Sequence, residues 1–136
     1  CTGGGTHFAA LLAREIGPGI IQVGFGERAS DRIVSRNDPR RGHEAFGNKV
    51  SELWGVGQQL IRTSQIRGLD PDTVSELCIR TYKSDAAKRM VVETKDDMKK
   101  RYPQSPDVAD AFCMTFSHAM ETRVKGSYEP EWYPDF

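Results

Sequence analysis

Apolar positions along the chain fall into two regimes, a spacing of three and four residues in some stretches and short apolar runs in others. That mixture predicts an α/β protein. Residues 6–16 (THFAALLAREI) place Phe8, Leu11, Leu12 and Ile16 on one side of a helix, and Gly17-Pro18-Gly19 stops it. Residues 20–25 (IIQVGF) are β-branched or aromatic and bounded by glycines, which predicts a short, mostly buried strand. A glycine-rich turn, a helix and then a strand imply a further strand ahead of Cys1. Residues 27–47 are polar and without periodicity, so a long loop is expected there.

Residues 48–64 form the clearest amphipathic helix, with Val50, Leu53, Trp54, Gly57, Leu60 and Ile61 recurring at three and four. Gly55 and Gly57 weaken its propensity but permit close approach of a neighbour. Asp70-Pro71-Asp72 is the start signal of a short helix to about Ile79. Residues 80–83 and 89–93 flank Ser84-Asp85-Ala86-Ala87-Lys88 as a hairpin, with Met90, Val91 and Val92 in the second arm. Thr94 caps a brief helix over 95–101, and Pro103 ends it. Ser105 is the expected N-cap of a last helix to about Glu121, with Pro106 at its first position. Residues 126–136, with Trp132 and Tyr133, form a tail.

A chain of 136 residues with 38% apolar and 28% charged residues suits one domain with a real core. Net charge is zero, so overall charge names no partner. Residues 28–49 nevertheless carry six basic residues against three acidic ones, and Arg40 and Arg41 there are candidates for phosphate contact, with a solvated loop as the plainer reading. No apolar run is long enough for a membrane span, and no signal peptide is visible. Cys1, Cys78 and Cys113 lack a CxxC pair and point to neither a disulfide framework nor a zinc knuckle, in keeping with a reducing cytoplasm. The start at Cys1 is expected to mark a piece of a longer protein. An N-terminal nucleophile hydrolase or a lipidated Cys1 finds no further support in the sequence.

The candidate chemistry lies at the start of the last helix. Asp107 suits a helix N-terminus on dipole grounds alone. Asp110 lies one turn on, and at 100° per residue the two share a sector with Met114, Ser117, His118 and Glu121. Val108, Phe112, Phe116, Ala119 and Met120 fall opposite, as the expected buried face. Two like charges so close call for a cation between them, and a divalent metal answers that need; a solvated acidic face is the competing reading. Lys95, Lys99, Lys100 and Arg101 lie nearby as candidate DNA-backbone contacts or a solvated run. His118 on the same sector could orient a phosphate or a metal ligand, with a rim histidine as the plainer reading, and His43 in the basic stretch could meet DNA or simply face solvent.

Ser-Pro-Asp-Val-Ala-Asp-Ala (105–111), following Glu93 to Lys100 (ETKDDMKK), resembles the C-terminal nuclease region of phage terminase large subunits. Cys1-Thr2-Gly3-Gly4-Gly5 looks like that family's glycine turn after its second catalytic acid. Gly24-Phe25-Gly26-Glu27-Arg28-Ala29 looks like the next strand end, Asn48-Lys49 through Trp54 like its Asn-Lys helix start, and Arg80-Thr81-Tyr82-Lys83 fits before the hairpin. The likeness runs in order from Cys1 to about His118.

The resemblance implies part of a ribonuclease-H-like fold, a mixed sheet with flanking helices whose N-terminal strands are missing, over residues 1–125. It implies a metal-dependent endonuclease that cuts concatemeric double-stranded DNA with two Mg²⁺ or Mn²⁺ ions, one activating water and one stabilising the leaving oxygen. Asp107 would be the helix acid, and Asp110 a neighbouring ligand or an orienter of it. Resolvases of the RuvC type share the fold and also carry two aspartates three apart on the final helix. Portal and small terminase subunit would be partners in the parent assembly, in the cytoplasm of a bacterial host. The family's first two acids would precede Cys1, so this chain alone is expected to bind metal weakly and cut poorly. Its strand over 20–25 would keep an unpaired edge inviting self-association. No Gly-x-x-x-x-Gly-Lys-Ser/Thr for an ATPase is present. The competing class is a non-catalytic module, a prophage remnant or isolated fragment, that touches DNA or packaging proteins.

Overall fold

The computed structural model describes residues 4–17, 22–35 and 37–121, and the side chains of 8–17, 22–35 and 37–117. The expected tail, Cys1–Gly3 of the expected glycine turn and the side chains of His7, His118 and Glu121 lie outside these, while Gly4 and Gly5 of that turn are helical. Elements run α1 (Gly4–Ile16), β1 (Ile33–Ser35), β2 (Asp38–Arg41), α2 (Gly42–Ala45), α3 (Lys49–Arg62), α4 (Pro71–Ile79), β3 (Tyr82–Ser84), β4 (Met90–Val92), α5 (Lys95–Lys99) and α6 (Asp107–Glu121). The protein is mixed α/β, with helices and two antiparallel strand pairs, β1–β2 and β3–β4. No helix among the described residues is long and apolar enough to cross a membrane.

Local chemistry starts α3, α4 and α5 where the sequence predicts. Asn48 Oδ1 accepts from Ser51 N–H at 3.0 Å, Asp70 Oδ1 from Thr73 N–H at 3.0 Å, and Thr94 Oγ1 from Asp97 N–H at 3.1 Å. Each satisfies one of the donors that a helix start leaves free. The Ser51 hydroxyl in turn accepts from Val92 N–H at 3.0 Å, which ties the start of α3 to β4.

The core forms where α3, β4 and α6 meet. Val50, Leu53, Trp54, Val92, Ala109 and Cys113 are buried together, with Phe112 and Phe116 against them in an edge-to-face pair at 5.1 Å. A second cluster of Ala29, Ala45 and Phe46 packs with Val34, and Met90 touches both clusters. The α3 glycines set these distances. A Cβ on Gly55 would stand 2.3 Å from Phe46 Cε1, and one on Gly57 would stand 3.1 Å from Phe116 Cε2 on the other side of the helix.

Three expectations change. The stretch over 27–47 is not a loop but the β1–β2 hairpin followed by one helical turn. Its strands are three and four residues long and one contains Pro39, so no period-2 pattern could develop. The hairpin is instead held to α3 through Glu52, which is 2% exposed and accepts from Ser30 N–H at 2.9 Å, with Lys49 Nζ 3.3 Å away.

The strand expected over 20–25 is not formed in its described part, residues 22–25. A strand needs a ladder, and no other strand lies beside this segment among the described residues. Carbonyls of Phe25 and Glu27 accept instead from Val50 N–H at 3.1 Å and Lys49 N–H at 2.7 Å. Helix α1 forms as expected, but its apolar side is bare among the described residues: Phe8 is 63% and Ile16 70% exposed.

The third change concerns α6. Its buried face carries Ala109, Asp110, Cys113 and Ser117, whereas Val108, expected inside, is 48% exposed. Asp110 is therefore not on a polar face beside Asp107. The cap also differs. Ser105 Oγ donates to the Asp107 carboxylate at 2.7 Å, and the free Ala109 N–H is taken by Glu76 Oε2 of α4 at 2.9 Å.

Candidate functional site

Asp110 is 4% exposed and sits where three segments converge. Its Oδ1 accepts from Trp54 Nε1 of α3 at 2.9 Å and from Arg80 Nη1, just before β3, at 2.8 Å. Its Oδ2 lies 2.9 Å from Lys95 Nζ of α5, an ion pair without a directional hydrogen bond. The Arg80 guanidinium also lies 5.1 Å from the centre of the Trp54 ring and donates through Nε to the Glu93 carbonyl at 3.0 Å. A buried carboxylate is tolerable only with such partners, and this one has two cations and an indole.

Asp107 differs in exposure. Its side chain is 74% exposed and projects from the first turn of α6. Hydrogen bonds from Ser105 and Lys95 hold its carboxyl below the usual range, and the exposed Lys99 adds to the effect. Lys95 Nζ lies 3.0 Å from Asp107 Oδ1 as well as 2.9 Å from Asp110 Oδ2. Burial alone would push that ammonium down, but the two aspartates outweigh it and the pKa rises. The cation between the two carboxylates is thus a lysine of the same chain.

Glu93 completes the surroundings. It accepts from Thr81 N–H at 2.8 Å and pairs with Arg101, which also donates to the Ile79 carbonyl at 2.6 Å. Burial works to raise its pKa, yet these contacts bring it below the ordinary value. Cys113 lies one turn beyond Asp110 on the buried face. Burial and the Asp110 charge push its thiol up to about 12, so it stays protonated and a poor nucleophile near neutral pH.

The residues present do not by themselves fit a two-metal centre. Asp110 is committed to Trp54, Arg80 and Lys95, which leaves Asp107 as the accessible carboxylate of the pair. No group of three or more His, Cys, Asp or Glu among the described residues is arranged to hold a metal ion.

The basic candidates fall on two elements. Arg40 is held by Asp38 at 2.6 Å, and Arg41 donates to the Asp31 carbonyl at 2.6 Å, both on the β1–β2 side. His43 Nδ1 lies 2.9 Å from Asp31. On α5, Lys95 is taken by the aspartates and Lys100 pairs with Asp97 at 2.6 Å, while Lys99 is exposed. Sequence reasoning placed Trp54 in the core without its hydrogen bond, and did not single out Glu76 or Glu52. Their partners lie 33 and 22 residues away, and no local signal marks such a pairing.

No protein-family model, curated protein or solved structure matches the chain.

Proposed function

We propose that this chain is the C-terminal portion of a ribonuclease-H-like nuclease of a viral DNA-packaging terminase, a metal-dependent endonuclease acting on double-stranded DNA. The observation that supports this most is a convergence in space. The segments whose sequences resemble that family, the Asn48–Trp54 helix start, Arg80 before the hairpin, and Ser105–Ala111, meet on the single carboxylate of Asp110. Their contact fixes the first turn of α6 and leaves Asp107 projecting at its rim. In this reading Asp107 is the acid that this region contributes, Asp110 is a positioning residue, and Mg²⁺ or Mn²⁺ is held chiefly by acids that the resemblance places upstream of Cys1. Lys99 and Lys100 would meet the DNA backbone, and portal and small subunit would belong to the parent assembly.

A second reading, a non-catalytic module that binds DNA or packaging proteins, is favoured by one feature: Lys95 already pairs with both aspartates, and Arg80 with Asp110 as well. Plasmid nicking with Mn²⁺, in a longer chain that includes the two upstream acids, separates the readings. Nicking that Asp107→Asn abolishes supports the nuclease. Absence of nicking, or wild-type nicking by Asp107→Asn, supports the module.

A further inference from the structure

A cleft of about 520 Å³ opens where the β1–β2 hairpin, α3 and the β3–β4 hairpin meet, on the side of α3 that carries Gly55 and away from α6. Its floor is Phe46, Gly55 and Met90, and its walls carry three cations, Arg40, Arg62 and Lys88. Arg40 is neutralised by Asp38, whose carboxyl its hydrogen bond holds below the ordinary value. Arg62, in the last turn of α3, and Lys88, at the tip of the β3–β4 hairpin, have no carboxylate within ion-pair distance among the described residues. The cleft therefore keeps an excess of two positive charges beside the amides of Gln58 and Gln59.

Lys88 makes this more than a chance surface charge. Its φ is +60°, the left-handed region that a hairpin turn normally assigns to glycine or asparagine. The turn itself is held by other groups, since Asp85 Oδ1 accepts from both Ala87 N–H and Arg89 N–H at 2.9 Å. The Lys88 N–H also donates to the Asp85 carbonyl at 2.9 Å, as a glycine amide there could, while the lysine side chain strains the backbone, makes no hydrogen bond within the turn and lines the cleft.

We propose that this cleft binds the phosphodiester backbone of duplex DNA, with Arg62 and Lys88 neutralising phosphates and Gln58 and Gln59 donating to their oxygens. The ligand class follows from the lining. Cations and amides suit phosphate oxygens. The one aromatic residue, Phe46, is buried in the floor and offers bases no stacking platform, which disfavours single strands. The proposal shares its ligand with the nuclease reading but not its residues, because Asp107 lies outside the cleft.

The test is fluorescence anisotropy of this chain with a short labelled duplex across a salt series. Lys88→Gly is the informative variant, because it relieves the strained φ and should keep or raise the Tm. It is expected to weaken binding several-fold and to lower the salt slope of log Kd by about one. Arg62→Gln should do the same. Arg14→Gln, which removes a charge from α1, should have little effect. The proposal is overturned if the wild-type chain does not bind the duplex, if Lys88→Gly binds with an unchanged slope, or if Arg14→Gln weakens binding equally. Asp107 does not line the cleft, so failure of nicking in the longer chain leaves this result intact, and the reverse also holds.

Discussion

Trp54 Nε1 and Arg80 Nη1 donate to the same oxygen of Asp110, at 2.9 and 2.8 Å, and so join α3, the approach to β3 and α6 at one buried atom. The arrangement is asymmetric in energy. A buried pair contributes little over an apolar substitute, whereas removing one partner leaves a buried charge without compensation.

Asp110→Ala should therefore cost about 3–5 kcal/mol, because Arg80 stays buried and loses its carboxylate. Trp54→Phe keeps most of the ring packing and loses one hydrogen bond to a charged group, about 1.5–3 kcal/mol. Urea denaturation followed by circular dichroism measures both. An Asp110→Ala midpoint equal to wild type would mean that the buried pair does not form.

What sequence reasoning could reach follows from the range of the signal. Asp70 and Thr94 were legible as caps because a cap bonds its own helix within three residues, whereas Asn48, read as the first residue of its helix, proves to be the cap. The β3–β4 hairpin was legible for the same reason. The burial of Asp110 was not, because periodicity assigns a carboxylate to the wet face unless a partner is known. Its partners come from 56 and 30 residues away. Residues 22–25 show the converse limit: β-propensity is present, but without a neighbouring strand it produces no ladder.

Lys95 governs the pH response of the site. Its pKa is raised, so its contribution is complete below the ordinary value of 10.5 and is lost as pH rises through the folded value. Asp107 and Glu93 are lowered from 3.8 and 4.5, so theirs are complete above those values and lost as pH falls through the folded ones. Lys95→Ala should flatten the alkaline decline and let the Asp107 carboxyl climb toward its ordinary value. Carboxyl-carbon NMR titration reads that shift directly; an unmoved Asp107 would contradict the pairing.

The two described cysteines should differ sharply toward an alkylating reagent. Cys78 is exposed, whereas Cys113 is buried with its thiol pushed up from 9.0 to about 12. At pH 8 iodoacetamide should modify Cys78 in the native protein and reach Cys113 only after denaturation, as read by peptide mass mapping. The same shift makes stability fall as pH rises above about 9, since the unfolded thiol ionises first. Equal labelling of both in the native state would show that α6 does not pack on α3.

Gly55 and Gly57 provide a test of that packing from the other side. In a helix interior, Gly→Ala gains about 0.8–1.0 kcal/mol from propensity. At Gly55 the new Cβ would stand 2.3 Å from a buried phenylalanine ring, and overpacking of that kind costs about 1–3 kcal/mol. At Gly57 the nearest atoms are Phe116 Cε2 at 3.1 Å and Cys113 Sγ at 3.5 Å, which a small ring movement accommodates. Gly55→Ala should thus be destabilising and Gly57→Ala close to neutral, an order that thermal denaturation resolves. The reverse order would place Phe46 away from α3 and remove the floor of the cleft.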